Sequence, residues 1–217
     1  MNEEQVRVAL VEAVRRLDAQ GLNRGSTGNL SLRWGEGMLI TPTGMGAHDL
    51  QPQDLVWLGW DGTQRGEWAP SSEWAFHQAA YRARPDRHAL VHTHSVNATA
   101  LACLDRALPP FHYMVAVAGG HDVPCVPYHL FGSEALAQAV GQALRARDAC
   151  LLAHHGLVAV GATLAQAMKV AQEIEALCEV YLRALAAGEP ALLSAAQMDE
   201  VVARFARYGR AARGGAA

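Results

Sequence analysis

The chain has 217 residues, 51% hydrophobic and 18% charged, a profile that allows one domain over 1–217 and leaves no low-complexity linker to divide it before the Ala/Gly-rich end. Its formal charge of −3 excludes a field over the whole molecule that would draw it to nucleic acid or an anionic membrane, so any phosphate it binds is bound locally. The start, Met1-Asn2-Glu3-Glu4, lacks the order of a signal peptide and no apolar run approaches the roughly 20 residues of a spanning helix, which points to a cytoplasmic protein without a membrane partner.

Val6, Leu10, Val14 and Leu17 recur at helical spacing and predict a first helix that Gly21 ends. The polar stretch Gly25-Ser26-Thr27-Gly28-Asn29 leads into the alternating Leu30-Ser31-Leu32-Arg33, which suits a strand. Residues 38–40 and 56–58 predict two more strands, and Thr41-Pro42-Thr43-Gly44 is a turn by composition. Pro70-Ser71-Ser72 predicts the cap of a helix over 73–84, stopped by Pro85. Residues 89–94 read as a buried strand, after which Ser95 suits the cap of a helix reaching Leu104. Further on, 123–126 predicts a short strand, Ser133 opens a helix to about Arg145, and 150–153 forms a strand that 157–160 either continues or follows as the next. Thr163 begins a long helix to about Ala187, and a last one covers 196–207. Strands and helices interleave throughout, so the expected architecture is α/β, a sheet covered by helices on both faces. Cys103, Cys125, Cys150 and Cys178 form no Cys-x-x-Cys pair and read as buried thiols in a reducing cytosol.

His92 and His94 lie two apart in a predicted strand, so their side chains leave the same face while Thr93 points the other way. Two imidazoles on one rigid face are half of a zinc-like site. His155, just past the apolar strand 150–153 and before Gly156, can supply a third nitrogen. Glu73 can supply an oxygen, the one donor of the four able to detach and take up a proton. Spacing alone leaves the alternatives open: His-x-His also occurs in packed strands, a Glu at a helix start suits the helix dipole, and a lone His155 is a packed or surface histidine.

Pro70-Ser71-Ser72-Glu73, Val91-His92-Thr93-His94-Ser95 and Leu152-Ala153-His154-His155-Gly156, in this order, resemble the three signature blocks of the class II aldolase/adducin family. Ser26-Thr27-Gly28-Asn29 and Ile40-Thr41-Pro42-Thr43-Gly44 are similar to its phosphate-binding segments, and the likeness, nearest the fuculose-phosphate aldolase group, covers about positions 5 to 208. The resemblance implies a three-layer α/β/α fold on a mixed, mostly antiparallel sheet. It implies one divalent metal per subunit, Zn2+ before Mn2+ or Co2+, held by Glu73, His92, His94 and His155. It implies a phosphate held by Asn29, Thr43, Gly44, Ser71 and Ser72, with Gly28 shaping the loop. Short hydroxyls, an amide and exposed backbone N–H groups at a helix N-terminus suit a phosphate dianion, although the two serines also suit simple capping.

By the same likeness, Phe111-His112-Tyr113-Met114 resembles the segment bearing a tyrosine that carries a proton for a neighbouring subunit, which makes Tyr113 catalytic beside Glu73 and implies a homotetramer with sites at subunit interfaces. Phe205 and Tyr208 resemble tail residues that fold over the site, and Phe131 a pocket wall. Arg204, Arg207, Arg210 and Arg213 read as a solvated basic tail. One departure stands out: where the family usually has Asn-His-Gly, this chain has His154-His155-Gly156.

The implied activity is reversible cleavage of a ketose 1-phosphate to dihydroxyacetone phosphate and an aldehyde through an enediolate stabilised by the metal. L-Fuculose 1-phosphate, 5-deoxyribulose 1-phosphate and 5-methylthioribulose 1-phosphate are the candidate substrates. Related chemistries are decarboxylation of a 3-oxo-tetronate 4-phosphate, pentulose-phosphate 4-epimerisation, for which Asp122 is a candidate, and dehydration of methylthioribulose phosphate. An interaction module of the adducin kind would lack the histidines, and neither a Gly-x-Gly-x-x-Gly nor a Walker loop is present for a nucleotide enzyme.

Overall fold

The computed structural model describes residues 2–207. Helix α1, Glu3–Ala19, starts at a reciprocal cap in which Asn2 accepts from the amide of Gln5 and Gln5 accepts from the amide of Asn2. Its buried face, Leu10, Ala13 and Leu17 among others, repeats every three to four residues, and Gly21 follows with φ +72°. Strands β1 (Asn29–Trp34), β2 (Gly37–Ile40), β3 (Val56–Gly59) and β4 (Gln64–Arg65) form an antiparallel meander. Helix α2 spans Trp74–Ala83, β5 Ala89–Thr93 and α3 Val96–Ala102; a 3₁₀ helix covers Tyr113–Ala118. Strand β6 (Cys125–Val126), α4 (Glu134–Ala143), β7 (Ala149–Leu152), β8 (Gly156–Gly161), α5 (Leu164–Ala187) and α6 (Ala195–Arg207) complete the order. Residues 157–160 therefore do not continue the preceding strand; they turn back at His154 and pair with it antiparallel.

Among the described residues the eight strands make one sheet in the order β4-β3-β2-β1-β5-β8-β7-β6, antiparallel except for β6 with β7. Side-chain alternation splits the core in two. Ala89, Val91, Leu157 and Ala159 pack toward α1, α3 and α5, while Leu90, Val158 and Val160 pack with Phe76 and Ala80 of α2 and Leu136 and Val140 of α4. This is the expected three-layer α/β/α arrangement on a mixed, mostly antiparallel sheet. No helix among the described residues is long and apolar enough to cross a membrane.

Two helix starts differ from expectation for reasons that matter to the site. Ser95 occupies the cap position of α3, yet its hydroxyl does not cap; Glu175 of α5 instead accepts from the amides of Asn97 and Ala98 at 2.9 and 2.8 Å, which ties α3 to α5. At α2, Glu73 stands in the cap position itself, and Ser71 Oγ takes the Glu73 amide at 3.3 Å. The carboxylate of Glu73 is thereby left to turn inward. At the far end of α2, Arg84 bonds the Asp148 carboxylate at 2.9 Å, and Arg87 grips the same group, so that α2 is anchored to the start of β7. The cysteines are all free, but only Cys150 and Cys178 are buried; Cys125 is half-buried and Cys103 exposed, since α3 ends on the surface.

Candidate metal centre and phosphate cup

Antiparallel pairing puts Asn29 of β1 opposite His92 of β5, and His92 opposite Val158 of β8. The strand ends at Thr93, so His94 stands at its exit on the same side as His92, and the β7–β8 turn brings in His155. Glu73 enters from above at the start of α2. The three imidazole rings stand 4.8 Å apart, centroid to centroid, in every pairing and nearly perpendicular to one another. One donor atom from each of Glu73, His92, His94 and His155 lies within 4.8 Å of all the others. His92 Nε2 is 3.0 Å from His94 Nε2 and 3.2 Å from Glu73 Oε2, and His155 Nε2 is 3.1 Å from Glu73 Oε1.

These groups fit a cation better than they fit each other. His92 Nδ1 lies 3.0 Å from the Leu157 carbonyl, which can only accept, so Nδ1 carries the hydrogen and Nε2 turns its lone pair to the centre. Glu73 Oε1 is buried with no hydrogen-bond partner. An orphaned carboxylate oxygen among imidazole lone pairs is costly unless positive charge stands between them. Donors at ~2.0–2.1 Å around a tetrahedral ion would be roughly 3.3–3.4 Å apart, close to the spacings found here. Three nitrogens and one carboxylate oxygen also suit a zinc-like ion chemically.

The electrostatics agree. Burial pushes the Glu73 carboxyl up, but positive charge at the centre, for which protonated His92 and His155 stand in when no cation is bound, outweighs it and holds the group well below the usual carboxylate range. Burial first, then repulsion from His92 and His155, pushes His94 down to about 4, so it offers a lone pair at neutral pH.

Beside this centre lies a cleft of about 360 Å³. It is lined by Ser26, Thr27, Gly28, Asn29, Thr43, Gly44, Ser71 and Ser72, and also by Tyr128, His129, Phe131 and His154. The hydroxyl and glycine part of the lining is held together by its backbone: the Ser71 amide donates to Thr41 O at 3.0 Å and the Thr43 amide to Ala69 O at 3.1 Å. Those bonds set Thr43-Gly44 against Ser71-Ser72. Gly28 has φ +74°, and a Cβ there would come within 2.3 Å of the Asn23 side chain, so the loop needs a glycine on both counts. Gly156 lets the β7–β8 turn approach β5, since a Cβ would meet Thr93 O at 2.3 Å.

The structure thus brings together every residue of the expected metal set and of the expected phosphate set. Asn29 has an additional engagement: its amide nitrogen donates to Glu73 Oε2 at 2.8 Å, which uses one of its two hydrogens. Phe131 is at the cleft, as expected of a wall. Phe205 is not; its ring packs near Tyr113, 6.5 Å between centroids, because α6 docks on the 3₁₀ helix. Tyr113 is half-exposed and does not line the cleft of its own chain. Tyr208, Arg210 and Arg213 lie outside the described residues, and Arg204 and Arg207 are exposed. Asp122 is taken up in an ion pair with Arg147 at 2.7 Å, away from the cleft. His154 adopts φ +57°, a conformation that suits the asparagine usual in the family more than it suits histidine, and its ring edge faces Tyr128 at 6.2 Å.

Sequence reasoning missed a set of buried polar groups behind the centre. His77 and Tyr81 share the inner face of α2 with Glu73, each four residues on, and Asn29 and Ser31 face them from β1. The spacing of four on the helix and two on the strand is the signal that could have found them. Burial, then the charge of His92, pushes His77 down to about 3, so it is neutral.

A family model described as the class II aldolase and adducin N-terminal domain matches residues 8–182. The chain is 48% identical over 204 residues to a 5-methylthioribulose-1-phosphate/5-deoxyribulose-1-phosphate aldolase of Rhodospirillum rubrum, covering 94% of this chain and 92% of that one. It is 42% identical to an L-fuculose phosphate aldolase of Haemophilus influenzae, covering 96% and 97%. A solved structure of an L-fuculose 1-phosphate aldolase superposes with a TM-score of 0.90 at 36% identity, over 93% of this chain and 96% of that one.

Proposed function

The chain belongs to the class II aldolase and adducin family, and on that footing we propose that it is a metal-dependent lyase that cleaves a ketose 1-phosphate to dihydroxyacetone phosphate and an aldehyde. The observation that carries this reading is the convergence of Glu73, His92, His94 and His155 beside a cup of hydroxyls and glycines. 5-Methylthioribulose 1-phosphate, 5-deoxyribulose 1-phosphate and L-fuculose 1-phosphate are the substrates to test, since they are the ones named for the relatives.

Class II aldolases use a divalent metal, and Glu73, His92, His94 and His155 would hold it, with Zn2+ the first choice for this donor set and Mn2+ or Co2+ as alternatives. When bound, the ion supplies Lewis acidity to the oxygens flanking the bond that breaks, a contribution of several kcal/mol. The chain's own groups do the rest. Thr43, Gly44, Ser71 and Ser72, with the second amide hydrogen of Asn29 and the loop shaped by Gly28, bind the phosphate and fix the carbon skeleton. Tyr113 of a neighbouring copy relays the proton of the C4 hydroxyl as the aldehyde leaves, passing its own hydroxyl proton to solvent as it receives the new one. Glu73, freed when the substrate takes its place and protonated from solvent, delivers that proton to C3 and returns as the carboxylate, so that one proton leaves O4 and one arrives at C3.

Because Tyr113 is exposed and away from its own cleft, this mechanism requires an oligomer, proposed to be a homotetramer with sites at the interfaces. The free cysteines suit a cytoplasmic enzyme of one domain over 1–217. The Asp122–Arg147 ion pair gives epimerisation no support from the residue it would use. The test is incubation of the Zn2+-loaded protein with a panel of ketose and oxo-acid phosphates, with products identified by mass. Dihydroxyacetone phosphate plus an aldehyde is expected; carbon dioxide, an epimer or a dehydrated sugar in its place would overturn the reading.

A further inference from the structure

We infer that His77 is a positioning residue that acts through Asn29 on Glu73, as part of a buried hydrogen-bond chain running from Tyr81 to the metal centre; the inference rests on the proposed role of Glu73. Five polar side chains line up between α2 and β1. The Tyr81 hydroxyl lies 2.8 Å from Ser31 Oγ, Ser31 Oγ 2.7 Å from His77 Nδ1, His77 Nε2 2.5 Å from Asn29 Oδ1, and Asn29 Nδ2 2.8 Å from Glu73 Oε2. His77 and Ser31 are fully buried, and the exposure of the other three does not exceed 7%.

The chemistry allows this chain one direction. The carboxylate can only accept, so Asn29 turns its NH2 to Glu73 and its oxygen to His77. That oxygen needs a donor, which makes His77 the Nε2–H tautomer with a lone pair on Nδ1. Ser31 then donates to Nδ1, while the single Tyr81 hydroxyl hydrogen is shared between Ser31 Oγ at 2.8 Å and the Ser31 carbonyl oxygen at 3.0 Å. From Ser31 onward every link donates toward Glu73. Rotating the Asn29 amide by a half-turn would set its oxygen against the carboxylate and its NH2 against His77 Nε2–H, two repulsive contacts at once. His77 therefore forbids the rotation, pins Oε2 through Asn29, and leaves Oε1 as the free face of the carboxylate. Polar groups buried this deeply in a core otherwise built of Phe76, Ala80 and Leu90 are costly unless satisfied, and here the side-chain heteroatoms of Tyr81, Ser31, His77 and Asn29 all have partners, as has Glu73 Oε2, which leaves only Oε1 open toward the metal centre.

The prediction concerns coupling, not mere loss. Removing a group that orients a ligand in this way costs about 10–100-fold in metal affinity or turnover. Co2+ titration of the metal-free protein, followed by its visible absorption, reads affinity without any substrate. His77→Leu is expected to weaken Co2+ binding and to lower kcat within that range, and to raise KM for the sugar phosphate as the Asn29 amide loses its fixed orientation. His77→Gln, which retains a donor for Asn29, is expected to recover most of the loss. In an Asn29→Ala background, His77→Leu is expected to add nothing further. Losses that multiply in the double variant would show that His77 serves only packing and would overturn the inference, as would wild-type Co2+ affinity in His77→Leu. Should His77→Leu not fold, Ser31→Ala frees the tautomer from one link away, and its effect is expected to vanish in the Asn29→Ala background in the same manner; persistence there would overturn the inference. Absence of turnover on every sugar phosphate, with the Co2+ coupling intact, would sink the aldolase reading while supporting this one.

Discussion

Glu73 Oε1 lies 3.1 Å from His155 Nε2, buried and without a hydrogen-bond donor aimed at it. Such a contact persists when a cation completes it. Treatment with a strong chelator is therefore expected to abolish turnover and to lower the thermal unfolding temperature, and stoichiometric Zn2+ to restore both. Metal content by atomic emission, measured beside activity, checks the link. Full activity in protein shown to be metal-free would defeat the role given to the four ligands.

Replacing Glu73 by glutamine keeps an oxygen that can face the centre and removes the group that carries a proton. The Glu73→Gln protein is expected to bind metal more weakly but measurably and to lose turnover by about 100-fold or more, the range of a proton-transfer residue. Rate and metal stoichiometry measured on the same sample separate the two effects. A near-normal rate would remove Glu73 from the chemistry.

How much of this was open to sequence reading follows from which contacts are local. The parity of His92 and His94 is a property of one strand, and it holds even though the strand ends at Thr93. The turn at His154 could not be told from a continuous strand, because 150–153 and 157–160 are apolar alike and the reversal depends on a left-handed residue and on Gly156 passing close to Thr93. Ser95 reads as a cap by type, but the amides it would satisfy are taken by Glu175, about eighty residues away, which no local pattern reveals. The convergence of Glu73 on the histidines entered only through the likeness to a family. The buried chain behind it went unread because its two halves, Asn29-x-Ser31 and the Glu73, His77, Tyr81 row, become one feature only when α2 lies across β1.

Gly28 combines a left-handed backbone with a contact to Asn23 that leaves no room for a methyl group. Gly28→Ala is expected to cost about 1–2 kcal/mol from the backbone alone, and displacement of the loop is expected to raise KM for the phosphorylated substrate. Denaturant unfolding and KM together check this. Unchanged KM would separate the loop from phosphate binding.

His77 is held down to about 3 by burial and then by His92, against about 6.5 in an unfolded chain. Between those values the unfolded chain takes up a proton that the folded chain refuses, so stability is lost as pH falls from 6.5 toward 3 and His77 contributes no slope above that window. For metal-free protein, the slope of unfolding free energy against pH between 4 and 6 is expected to be shallower in His77→Gln by about one proton. Urea unfolding at several pH values measures it. Equal slopes would mean that His77 is protonated in the fold.

Tyr113 is half-exposed and lies outside the cleft of its own chain, which makes a contribution to a neighbour's site the sharper claim. Tyr113→Phe alone is expected to lose turnover by about 10²–10⁴-fold with metal binding intact. Mixing distinguishes own site from neighbouring site. If Tyr113→Phe and Glu73→Gln proteins are unfolded together and reassembled in equal amounts, every subunit carries one defect, so sites built within a single chain all stay inactive. If each site joins Glu73 of one subunit to Tyr113 of the next, random assembly leaves about a quarter of the sites with both native groups. Recovery toward about one quarter of the wild-type rate is the expected outcome, and no recovery from subunits shown to have mixed would return Tyr113 to its own chain or to the surface.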